Sequence, residues 1–98
     1  MTINWKDYVI ESNDVYHQTY TSAVQSGLAY AIKRGFTTDD DEVALLVGSF
    51  SSRPGSGKTT KLHIPIYKAG KLQKKELHIQ VYNRDTAINP FELNVYIS

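Results

Sequence analysis

The chain has 98 residues, 41% of them hydrophobic and 21% charged, with a net charge of +1. That size fits one domain with a single modest core, burying roughly 60–65% of the unfolded chain's surface, and the composition is ordinary for a soluble globular protein. The chain has no cysteine, which excludes disulfides and thiolate metal sites, and no run of about 18 apolar residues, which excludes a transmembrane helix.

The opening residues, Met1-Thr2-Ile3-Asn4-Trp5-Lys6-Asp7, have neither the basic head nor the apolar stretch of a signal peptide. The expected location is therefore cytoplasmic, without a membrane partner. Charge is uneven along the chain. Residues 1–50 carry three basic side chains against seven acidic ones, a balance of −4, and residues 51–98 carry eight against three, a balance of +5. Such halves attract each other within a chain or between copies, and a basic face attracts polyanions.

Trp5, Tyr8, Ser12, Val15, Thr19, Ala23, Gly27 and Tyr30 recur at three- and four-residue spacing, and Val9, Tyr16, Tyr20, Val24, Leu28, Ala31 and Ile32 widen the stripe. The periodicity predicts helix over roughly 4–34. It is one helix, or two broken at Ser12-Asn13-Asp14, residue types that favour caps over helix interiors. Asn4 suits the N-cap and Asp7 the first turn. Lys33 and Arg34 suit the last turn, and Gly35 the left-handed position beyond it. Tyr16, Tyr20 and Tyr30 are expected to pack the core and its rim.

Thr38 followed by Asp41 forms a capping pattern with acids in the first turn. Val43, Leu46, Val47 and Phe50 then sit at i, i+3, i+4 and i+7. Residues 43–50 read as a short second helix, with a strand bounded by Gly48 as the alternative. The acidic run Asp39-Asp40-Asp41 is expected to start that helix, because neighbouring side chains diverge and no calcium-loop spacing follows. Residues 51–60, punctuated by Ser, Pro and Gly, form a loop.

The last 39 residues hold three apolar alternations: Leu62, Ile64 and Ile66; Leu77, Ile79 and Val81; Phe91, Leu93, Val95 and Ile97. Period two marks half-buried strands. A Gly70-Lys71 turn of type II′ pairs Leu62 with Ile79, His63 with His78 and Ile64 with Leu77, which puts every apolar residue on one face. Pairing Val81 with Phe91 and Ile79 with Leu93 extends that face to the third strand. The result is an antiparallel meander whose last strand is expected to be an edge. The whole chain, 1–98, reads as a single domain with a helical part over 1–35 and a β-rich part over 36–98.

Three groups of residues are candidates for chemistry. Gly57-Lys58-Thr59 resembles the end of a phosphate-binding loop, but the motif needs a glycine where Ser52 stands and a helix where a strand pattern follows. His63 and His78 lie across from each other on the non-core face, within reach of a shared metal or a stacked base. With no third ligand in evidence they read as half-exposed histidines. No catalytic set, metal or cofactor is expected. The non-core face as a whole presents Lys61, His63, Tyr67, Lys74, Glu76, His78, Gln80, Tyr82, Asn94 and Tyr96. Rings among basic groups are what sheet-type binders of single-stranded nucleic acid use. The same face also suits an assembly interface or plain solvent. The residues expected to meet nucleic acid are Arg53, Lys58, Lys61, His63, Lys71, Lys74, Lys75, His78, Tyr82 and Arg84. Phe91, Leu93, Val95 and Ile97 are expected to form the edge through which copies pair.

Arg53-Pro54 with Gly57-Lys58-Thr59, then Leu77-His78-Ile79-Gln80-Val81-Tyr82, then Phe91-Glu92-Leu93-Asn94-Val95-Tyr96-Ile97 resemble a group of small uncharacterised marine proteins of cyanophage origin with an Sm-like fold. The likeness spans nearly the whole chain. It implies an N-terminal helix packed on a strongly bent antiparallel sheet, that is, an α+β, mainly β, small barrel. Copies would join into a homo-oligomeric ring and bind RNA or DNA without catalysis, in the cytoplasm of an infected host cell. The alternative is a phage structural protein with no nucleic-acid ligand. The usual Sm sequence motifs are not evident, so no Sm RNA-binding residue is carried onto this chain.

Overall fold

Residues 15–49, 54–85 and 88–98 are described by a computed structural model. The elements are β1 (Tyr16–His17), α1 (Tyr20–Lys33), α2 (Asp40–Ser49), β2 (Thr59–Lys68), β3 (Lys71–Asn83) and β4 (Phe91–Ile97). All strand pairs are antiparallel and the sheet order is β1-β4-β3-β2. The fold is α+β and mainly β. Among the described residues β1 and β2 stand at opposite edges, so the sheet is open and the expected barrel does not form. A barrel needed a fifth strand from residues 43–50 or from a split run. Residues 40–49 are helix instead, and each of the three apolar runs is a single strand. Phe50, Ser52 and Arg53 lie outside the described residues.

The hairpin has the expected central register by a different route. Leu62 faces Ile79, His63 faces His78 and Ile64 faces Leu77. The turn residues are Ala69 and Gly70, at φ 53° and 76°, flanked by the pair Lys68 and Lys71. Two positive φ values suit a type I′ turn, not the expected type II′. An irregularity then restores the register. Pro65 faces Glu76 while Tyr67 faces Leu72, so Gln73, Lys74 and Lys75 oppose Ile66 alone. An offset of two residues returns each side chain to its own face, and Ile66 is buried beside Leu62 and Ile64.

The β3–β4 pairing differs from expectation by the same step. Val81 faces Leu93, and Ile79 faces Val95. Asn83 lies opposite Phe91, and beyond it the Arg84 N–H donates to the Pro90 carbonyl at 2.7 Å.

The helix predicted over 4–34 begins only at Tyr20, with Thr19 as N-cap, its hydroxyl accepting from the Ser22 N–H at 3.1 Å. Residues 4–14, Asn4 and Asp7 among them, lie outside the described residues. Tyr16 and His17 pair with Glu92 and Phe91 instead of joining the helix. β-Branched and aromatic side chains at 15–16 suit an extended chain, and the edge of β4 offers it unpaired backbone groups. At the other end the expectation holds. Gly35 is left-handed at φ 85°. Its N–H donates to the Ile32 carbonyl, and the Phe36 N–H to the Ala31 carbonyl, which is the Schellman pattern.

α2 confirms the helical reading of residues 43–50 as far as Ser49. Its cap is Asp39, not Thr38: Asp39 Oδ1 accepts from the Asp41 and Glu42 N–H groups at 2.9 and 3.1 Å. Val43 from this helix, and Ala23, Val24, Leu28 and Ala31 from α1, join the alternating residues of all three long strands in one core. Gly27 sets how closely α1 lies on the sheet, since a Cβ there would stand 2.6 Å from Ile79 Cδ1. With both helices contributing to that face, the opposite face of the sheet carries no described element.

Candidate nucleic-acid interface

The alternation that buries the core residues turns the intervening ones to the open face, in rows across the strands. One row runs Thr59, Tyr82, Glu92, Tyr16; the next runs Lys61, Gln80, Asn94. A third runs His63, His78, Tyr96, and a fourth runs Pro65, Glu76, Ser98. The third row is the most ordered. The His78 and Tyr96 rings stack at 4.5 Å with 6° between planes, and the His63 ring meets His78 edge-on at 4.6 Å. Strand chemistry explains the closeness of His63 to His78. β3 exchanges hydrogen bonds with β4 through its even residues, as Glu76 does with Ser98, and with β2 through its odd ones, as the Asn83 N–H does with the Lys58 carbonyl. His63 and His78 thus form a pair without mutual backbone bonds, the kind whose side chains approach most closely.

Beside that row, Asn94 Nδ2 donates to Gln80 Oε1 at 3.2 Å. A depression of about 430 Å³ lies between Thr59, Gln80, Tyr82, Glu92, Leu93 and Asn94. It combines an aromatic wall with amide and hydroxyl groups able to donate and accept, the groups that read unstacked bases. Tyr82 and Tyr96 are each 38% exposed.

The residues expected to meet nucleic acid do not all gather. Lys61, His63, His78 and Tyr82 share the open face. Lys71, Lys74 and Lys75 are exposed at the hairpin tip with Lys68, and Lys58 is exposed in the turn that leads into β2. That turn has Gly57 at φ 72° and passes straight into strand at Thr59, so no helix N-terminus stands behind Gly57-Lys58-Thr59 to hold a phosphate. Arg84 is committed elsewhere. Its guanidinium lies 4.0 Å from the Tyr16 ring centre and donates to the Asn89 carbonyl at 2.7 Å. Arg53 lies outside the described residues. Tyr16, expected to pack, is 46% exposed. The alternation puts Tyr96, Gln80 and Asn94 on this face without marking them among the residues expected to meet nucleic acid. Their signal was their even numbers on strands whose odd positions are apolar.

The expected pairing edge is only half free. Phe91, Leu93, Val95 and Ile97 turn their backbone groups away from β3, because the even residues of β4 hold that side. Phe91 lies opposite His17, and the Leu93 N–H donates to the Val15 carbonyl at 2.7 Å. Among the described residues, no strand lies beside Val95 and Ile97. The far edge, β2, is blunted. Tyr67 and Thr37 exchange backbone bonds of 2.8 Å, and Pro65, two residues earlier on the same side, has no N–H to give. There the Tyr67 hydroxyl donates to Glu42 Oε1 at 2.9 Å. That bond, with burial and the nearby Glu42 and Asp39 charges, raises the Tyr67 phenol above its ordinary value.

Comparison with protein-family models, with curated proteins and with solved structures finds no match to this chain.

Proposed function

We propose that the open sheet face binds single-stranded RNA or DNA without catalysis, with a bound strand crossing the rows near Tyr82, His78 and Tyr96. One observation carries this reading: the exposed face holds a stacked aromatic row beside an amide-lined depression, and lysines stand at its rim. Rings stack bases in a sequence-tolerant way, each worth about 1–3 kcal/mol. Lys61 and the tip lysines Lys71, Lys74 and Lys75 neutralise phosphates. Glu76 and Glu92 lie on the same face and oppose the backbone, so rings and rim cations carry the affinity. The test is fluorescence anisotropy with labelled single strands at several salt concentrations. Replacing the three tip lysines with Glu lowers affinity and flattens the salt slope by up to about 0.7 per lost phosphate contact. Tyr82→Ala lowers affinity and leaves the slope unchanged. A folded wild type that binds neither RNA nor DNA at low salt ends the proposal.

The outward backbone groups of Val95 and Ile97 favour a second reading, an assembly protein whose copies pair strand to strand. The Sm-like ring implied by the resemblance combines the two, with copies paired at this edge and nucleic acid on the open face; a phage structural protein without a nucleic-acid ligand is the second reading alone. A salt-insensitive oligomer without polyanion affinity would distinguish it from the first.

A further inference from the structure

Glu76 stands where it offers a third donor beside the paired histidines. It stands opposite Pro65 and diagonal to His63. One donor atom from each of His63, Glu76 and His78 lies within 4.8 Å of the other two. We propose that these three side chains bind a divalent late transition metal, with zinc as the representative ion.

The chemistry of the donor set selects the class. Two imidazoles and one carboxylate suit zinc and its neighbours rather than calcium or magnesium, which take oxygen ligands. Two histidines and a glutamate are also one of the recurring three-ligand zinc sets, with a water in the fourth position. Zinc holds nitrogen at about 2.0–2.1 Å, so tetrahedral donors stand about 3.3 Å apart. The present separations exceed this by up to about 1.5 Å, a distance that side-chain rotation covers. The His63 and Glu76 side chains are 55% and 47% exposed, with His63 Nδ1 4.0 Å from Glu76 Oε1, so both can turn. His78 is the fixed member, held by the Tyr96 stack and by Ser98 Oγ, 3.3 Å from its Nε2. The site has one anchored ligand and two adjustable ones. Its open coordination positions face away from the core.

The alternative is that a proton, not a metal, joins His63 to Glu76 as a surface ion pair. The two are separated by titrating the full-length protein, free of nucleic acid, with zinc against a chromophoric chelator at neutral pH. Ring resonances of the histidines are followed by NMR. The expected result is one zinc per chain, with the His63 and His78 rings shifting together. His63→Ala, His78→Ala and Glu76→Gln should each weaken binding by about 100-fold or more, beyond the 10–100-fold typical of outer-shell losses. Lys61→Ala, on the same face, should leave binding unchanged. If His78→Ala fails to fold, the two exposed positions decide. Absence of zinc binding by the folded wild type overturns the proposal. So does binding that survives Glu76→Gln or His63→Ala, or that falls equally in Lys61→Ala.

Discussion

Gly27→Ala tests how α1 is seated, and with it the reason one sheet face stays open. A methyl at position 27 would lie 2.6, 2.7 and 3.2 Å from Ile79 Cδ1, Cγ1 and Cγ2. Ile79 is fully buried in β3 and β-branched, so its χ1 has little freedom to yield. Two terms oppose each other. Alanine in a helix interior is favoured over glycine by about 1 kcal/mol, and overpacking a core costs about 1–3 kcal/mol. The net expectation is a loss of about 1 kcal/mol, or about 4–8 °C in Tm for a domain near this size. Ile79→Ala alone should cost about 2–5 kcal/mol through its cavity. In the double variant the clash disappears, the helix gain remains, and the new methyl fills part of the cavity. The double variant should therefore be more stable than the sum of the single changes by about 1–3 kcal/mol, the range of coupled neighbours. Urea denaturation followed by circular dichroism measures all four corners of this cycle. Additivity within about 0.5 kcal/mol would refute the close seating of α1 on β3.

Thr19→Ala removes the cap of α1 and should cost about 0.5–2 kcal/mol by the same denaturation assay. The Tyr67 phenol, raised by its hydrogen bond to Glu42, should titrate above the ordinary tyrosine value of about 10 by ultraviolet absorbance, and Glu42→Gln should bring it down. Because the folded value is the higher one, that bond's stabilisation is present below pH 10 and is lost as pH rises through the folded value. Tyr67→Phe should therefore be less stable than wild type at neutral pH and approach it in strong alkali. In the assembly reading, Val95→Pro should dissociate the oligomer on sedimentation, since it removes an outward donor from the free half of β4; an unchanged mass would eliminate that edge.

Much of the fold was legible because the strands alternate strictly. Leu62, Ile64, Leu77, Ile79, Val81, Phe91 and Leu93 are all buried, and each was assigned to the core face by its position alone. The C-terminus of α1 was legible for the same reason, since Gly35 has a specific backbone task. β1 was not legible. Val15 and Tyr16 fit the helical stripe as well as a strand, and only the free backbone of β4 decides between them. That is a tertiary fact, which local pattern does not carry. Closure into a barrel was an inference from resemblance, and the helix at 40–49 removes the strand it needed.

The open face separates what parity determines from what register determines. Burial of the odd residues of β3 and β4 dictates which side chains reach the open face, and any offset of two residues preserves that list. It does not dictate which of them are neighbours. In the predicted β3–β4 register His78 would lie beside Asn94. In the observed one it lies beside Tyr96 and stacks on it. On the other side, the irregularity opposite Ile66 compensates the turn, so the predicted and observed neighbours coincide: His63 opposite His78, and Glu76 diagonal to His63. Diagonal partners on an antiparallel pair stand about 7–8 Å apart, within reach of long side chains. The third donor could therefore have been read from the same alternation that paired the histidines. The stacked tyrosine could not, because it depends on how the connection after Asn83 closes.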